Sequence, residues 1–111
     1  MAAPHVAGAA ALLRQLHPDW TPAQVKSALM STAKYLDVYD FDGSPAQPLA
    51  MGAGRIDLAA AADPGVFLDP PSVSFGAEVT GTVQTLMVTV TSVAVLTETF
   101  EVSTLYTGDG F

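Results

Sequence analysis

Two histidines, a scatter of serines and three closely spaced aspartates are the residues of this 111-residue chain that could carry chemistry. His5 is the tempting general base, since imidazole titrates near neutrality and can take a proton from a hydroxyl nucleophile. No serine with a partner carboxylate lies near it, so the pattern favours a histidine held in a structural role. His17 precedes Pro18 at an expected helix end, where a cation interacts well with the last carbonyls. About three helical turns separate the two histidines, which argues against a shared metal. Ser27, Ser31 and Ser44 have no Gly-x-Ser-x-Gly context, so none reads as a nucleophile. Asp40-Phe41-Asp42-Gly43 has the outline of a calcium loop, yet Val38 fills a ligand position and no glutamate follows before Glu78. A solvated acidic loop is the expectation. Gly52-Ala53-Gly54-Arg55-Ile56-Asp57 lacks the third glycine of a dinucleotide fingerprint and follows no convincing strand, so it reads as a tight turn before a capped helix. No cofactor and no metal are expected.

Composition narrows the partners. The net charge is -7, with 11 acidic side chains against only Arg14, Lys26, Lys34 and Arg55. Such a balance repels phosphate backbones and anionic lipid, so nucleic acid and membrane are poor partners. Half the residues are hydrophobic, too many for a disordered acidic chain. The absence of cysteine removes disulfides, thiolate nucleophiles and cysteine-based zinc sites together. Residues 1–13 are apolar but have no basic residue ahead of them, and Pro4, His5 and Gly8 interrupt the run. They read as a buried structural segment, too short to cross a bilayer and not a signal sequence. Any export signal is expected upstream.

These residues need elements to hold them. A first helix is expected from near Pro4 to His17, ended by Pro18. Ala2, Ala3, Ala7, Gly8, Ala9, Ala10 and Ala11 leave little bulk on any face, the pattern of a helix buried all round inside a larger body. The second helix has a clear start. Thr21 is the N-cap, Pro22 sits at N1, Gln24 completes a capping box, and Trp20 can staple onto Val25. Val25, Ala28, Leu29, Thr32 and Leu36 then share one face, with Lys26, Ser27 and Lys34 off it. Residues 37–50 read as a loop. A short helix capped by Asp57 is expected over residues 58–62. Asp63-Pro64-Gly65 is strong turn punctuation and marks a boundary between two units. Beyond it Leu86, Val88 and Val90 alternate with Met87, Thr89 and Thr91, and Phe100 and Val102 repeat the pattern. Residues 66–68 and 73–75 are shorter strand candidates. An antiparallel β-sandwich needs roughly 100 residues and seven strands, so this one would be incomplete.

Met1-Ala2-Ala3-Pro4-His5-Val6-Ala7-Gly8 resembles the segment that follows the nucleophile in subtilisin-like serine proteases, where the pattern reads Gly-Thr-Ser-Met-Ala-x-Pro-His-Val-Ala-Gly. Ala10-Ala11-Leu12-Leu13, Pro18, and the run from Trp20 through Thr21-Pro22 to Leu29-Met30 resemble the next two helices of that catalytic domain. Gly52-Ala53-Gly54-Arg55-Ile56-Asp57 with Ala59-Ala60 is similar to its glycine turn and final helix. Pro71-Ser72-Val73-Ser74-Phe75-Gly76 and Thr89-Val90-Thr91 resemble the start of a fibronectin type III-like domain.

The resemblance implies an α/β fold class: C-terminal helices of a subtilisin-like doubly wound domain over residues 1–63, then an incomplete antiparallel β-sandwich over residues 64–111. It implies a secreted endopeptidase acting on polypeptides through a Ser-His-Asp triad, with the serine immediately before Met1. Met1, Ala2, Pro4 and His5 would then adjoin the active site without catalysing anything. On this reading the chain is a fragment, expected to be inactive alone and to pair with the missing N-terminal part of the same protein. The alternative is a non-catalytic β-sandwich module for binding or adhesion.

Overall fold

The computed structural model describes residues 1–105. Helix α1 runs Ala2–Leu16, two residues earlier than expected. Its six alanines favour helix, and Pro4 falls in the first turn, where an N–H would have no intrahelical acceptor. The helix stops where expected. His17 leaves the helical region (φ -126°, ψ 79°) ahead of Pro18, while its N–H still donates to the Leu13 carbonyl at 2.8 Å.

Within this chain α1 is not buried all round. Only Ala9 and Leu13 are buried, while Val6, Leu12 and Leu16 are exposed. The described residues supply packing partners for a single stripe of the helix.

Helix α2, Pro22–Ser31, opens as the sequence predicts. Gln24 N–H donates to Thr21 Oγ1 at 3.3 Å, and Thr21 N–H donates to Gln24 Oε1 at 2.7 Å. Val25, Ala28 and Leu29 are buried as expected. The helix ends at Ser31, so Leu36 falls beyond it and is exposed. Ser27 corrects the reading in the other direction: expected off the buried stripe, it is 1% exposed.

Residues 37–50 are less featureless than a plain loop. Tyr39 and Pro45 pair across a tight turn, and Pro48–Met51 forms the one-turn helix α3. Antiparallel pairing of Lys34 with Arg55 closes the segment, with reciprocal bonds of 2.8 and 2.9 Å. Gly54 permits that approach. Its φ is +114°, and an added Cβ would lie 2.8 Å from the Lys34 carbonyl carbon. Helix α4, Leu58–Ala61, is capped by Asp57, whose Oδ1 accepts from Ala60 N–H at 3.2 Å.

Strands β1 (Val66–Asp69) and β2 (Thr89–Ser92) pair antiparallel, with Phe67 opposite Thr91 and Leu68 opposite Val90. The molecule is therefore a small mixed α/β structure. The alternating segment contributes only its last residues to β2, and residues 73–75 and 100–102 lie outside strands. Among the described residues there is one two-stranded sheet and no sandwich. β1 packs on α2, whereas all four residues of β2 are exposed. Leu86, Met87 and Val88 are exposed and meet no second sheet among the described residues, and a half-buried period needs one to settle against.

One core unites these elements: Ala9 and Leu13 from α1, Trp20, Val25, Ala28 and Leu29 from α2 and its approach, Ala61 from α4, and Phe67 from β1.

Candidate functional site

The start of α1 holds the residues singled out in sequence. Met1 is the N-cap, with a fully exposed side chain and no side-chain capping bond. Ala2, Pro4 and His5 are exposed on the first turn and a half. His5 Nδ1–H donates to the Met1 carbonyl at 2.9 Å, so its partner is backbone, four residues back, rather than a hydroxyl or carboxylate. The arrangement fixes an imidazole against the first helical turn. It does not build a base beside a nucleophile.

His17 does more than cap. The ring is half-buried and stacks on the Trp20 indole, centroids 3.9 Å apart and 3° from parallel. Nε2–H donates to the Ala62 carbonyl at 2.8 Å, which ties the end of α1 to the end of α4. Ser27, Ser31 and Ser44 are not brought together with either histidine. Ser27 accepts from Leu68 N–H at 2.7 Å, and Ser44 Oγ–H donates to Asp42 Oδ1 at 2.6 Å.

The acidic loop spends its carboxylates on its own backbone. Asp42 accepts from both the hydroxyl and the N–H of Ser44, and these bonds, the hydroxyl's first, hold its carboxyl below the ordinary 3.8. Asp40 accepts from Phe41 N–H at 2.8 Å, and Asp37 from the Tyr39 hydroxyl at 3.4 Å. Among the described residues no three His, Asp or Glu side chains are grouped so as to hold a metal ion. Asp57 pairs with Lys34 at 3.0 Å. That contact and the Ala60 N–H hold its carboxyl below 3.8. Gly52 and Gly54, both at positive φ, make the turn into this cap.

A feature not anticipated in sequence is an open apolar cleft of about 680 Å³ between α1 and α2. Val6, Ala10, Val25, Leu29 and Met30 line it, with Arg14 and Lys26 also on its walls. Two i, i+4 pairs, Val6 with Ala10 and Val25 with Leu29, carried the signal. Each was legible alone, but their facing one another was not.

The described residues thus form a scaffold, with helix ends, turns and caps but no nucleophile–base–acid set. The class is that of a small helical unit with a two-stranded antiparallel sheet. Its residues 1–63 match the Subtilase family, Peptidase S8, and the chain belongs to that family. It is 44% identical over 80 residues to Subtilisin-like protease SBT5.5 of Arabidopsis thaliana, covering 68% of this chain and 10% of that protein. It is 48% identical over 75 residues to Subtilisin-like protease SBT3 of Solanum lycopersicum, covering 62% of this chain and 10% of that protein. Subtilisin-like protease SBT1.9 of Arabidopsis thaliana is 45% identical over 75 residues, covering 68% of this chain and 9% of that protein. The chain spans about a tenth of the length of these relatives. No helix among the described residues is long and apolar enough to cross a membrane.

Proposed function

We propose that residues 1–63 serve as the closing helices of a subtilisin-like catalytic domain, and that residues 64–111 begin a fibronectin type III-like β-domain. The observation that carries this reading is the family match over residues 1–63, opening on Met1-Ala2-Ala3-Pro4-His5-Val6-Ala7-Gly8. The exposed apolar side chains of Val6, Leu12 and Leu16, with the cleft between α1 and α2, support it, because a helix of this composition wants cover on more than one face.

In the intact protease a serine directly before Met1 attacks a peptide carbonyl, a histidine takes its proton, and an aspartate orients the histidine. This chain's contribution is α1. Its first N–H groups point back toward the serine, and the positive end of the helix dipole favours the oxyanion that develops there. Met1 packs beside the nucleophile, and His5 braces the first turn through the Met1 carbonyl. The substrate is a polypeptide, and the protease acts outside the cell. The chain alone, without serine, histidine and aspartate of the triad, is inert.

The test uses the purified 111-residue chain and a fluorophosphonate probe for activated serines. No labelling is expected. Labelling at any of its own serines would overturn the assignment of a supporting role. Translating the DNA upstream of the Met1 codon is the companion test: an in-frame Gly-Thr-Ser supports the reading, and a stop codon there removes it.

A further inference from the structure

We infer that residues 64–69 are a strap of the helical unit: strand β1, beyond the family-matched segment, completes the core on which α1 and α2 rest, and the helices keep their packing only while it is docked. The chain of contacts is continuous. Phe67 is 5% exposed and meets the Trp20 indole edge-on, centroids 4.9 Å apart and 88° between planes. On its face that indole stacks with the His17 ring at the end of α1. The Arg14 guanidinium, one turn earlier, donates to the Trp20 carbonyl. His17 in turn holds the Ala62 carbonyl, immediately before the Asp63-Pro64-Gly65 turn that delivers β1.

A second tie runs to α2. The Leu68 N–H donates to Ser27 Oγ, a hydroxyl 1% exposed, at 2.7 Å. A buried serine on an otherwise apolar face is explained by this bond, since the strand N–H would have no acceptor without it. β2 pairs with β1 but is exposed throughout, so the docking element is β1 and not the sheet as a whole. Among the described residues Phe67 is the largest side chain that reaches the core from outside residues 1–63, and α1 itself supplies only Ala9 and Leu13 as buried members. The cooperative unit therefore ends near Pro70-Pro71, past the Asp63 turn. This inference does not rest on the catalytic reading, and its readouts need no activity.

The test uses the full chain and its single tryptophan, Trp20. Phe67→Ala should move Trp20 emission to the red and lower hydrogen-exchange protection in α1 and α2 together. Ser27→Ala, which removes one oxygen and opens almost no volume, should speed exchange of the Leu68 amide about tenfold and lower helical protection with it. If Phe67→Ala precipitates, Ser27→Ala decides alone. Parent-like protection in α1 and α2, with β1 alone opening, would overturn the strap. So would an equal loss in Leu96→Ser, because Leu96 is exposed and outside the core.

Discussion

Replacing Leu13 with alanine should release α1 from the rest of the molecule. Leu13 is 1% exposed and, with Ala9, is one of the two buried residues of that helix. Leucine-to-alanine changes in packed cores cost about 2–5 kcal/mol, the spread reflecting how far the site can collapse. Here the open cleft beside α1 gives the helix room to shift, which puts the cost near the middle of that range, about 3 kcal/mol. A domain of this length is stabilised by roughly 5–15 kcal/mol, and a core of eight buried hydrophobic residues, of which Ala9, Ala28 and Ala61 are alanines, belongs at the low end. Half the stability would go. At about 4 °C per kcal/mol the midpoint should fall by about 12 °C. Circular-dichroism melts of Leu13→Ala would be run beside Leu12→Ala and Leu16→Ala, whose leucines are 54% and 60% exposed. Those should cost about 1 kcal/mol or less, since little apolar area returns to water and alanine is the better helix former. Equal midpoints for Leu13→Ala and Leu16→Ala would refute the one-stripe attachment, as would a Leu13→Ala melt within about 3 °C of the parent.

The remaining predictions are smaller. Asp57 has a folded pKa below 3.8, so its contribution is fully present above 3.8 and fades as pH falls through the lower, folded value. Lys34→Met should return the Asp57 carboxyl toward 3.8 when followed by NMR titration, and an unmoved titration would rule out the ion pair as the leading cause. Gly54→Ala should cost about 1–3 kcal/mol, from positive φ and from crowding the Lys34 carbonyl. Gly43→Ala, also at positive φ but facing open space, should cost less, and the difference between the two melts isolates the crowding. Thr21→Ala should cost about 1 kcal/mol by removing the N-cap acceptor of α2, read as a drop in thermal midpoint.

What the sequence disclosed was mostly local. Thr21, Pro22 and Gln24 specify the start of α2 because capping is settled within four residues, and Asp57 marks α4 for the same reason. Pro18 ends α1 through a clash with its immediate predecessor. Ser27 was misread because periodicity assigns faces from apolar residues alone, while a buried hydroxyl takes its place from a strand N–H 41 residues away. The alternation around Leu86 and Val88 was real, yet a strand needs a partner ladder, and only Thr89–Ser92 finds one among the described residues. The segment at Met1 to which the family pattern attaches chemistry was plain from residue types. Its surroundings were not, since the cleft beside it arises from two helices whose mutual placement no single window contains.

The anchorage of α1 has a mechanical consequence. Among the described residues, the buried side chains and long-range hydrogen bonds of the helix lie at or beyond Ala9: Leu13 in the core, Arg14 on the Trp20 carbonyl, His17 on Ala62. The first two turns project from that root as a cantilever, part of one unbroken helix. A lever of this kind magnifies small rotations at its root into larger displacements at its tip. The tip is where Met1 and His5 sit, so the aim of that end is set either by a body that grips it or by the three contacts at the root.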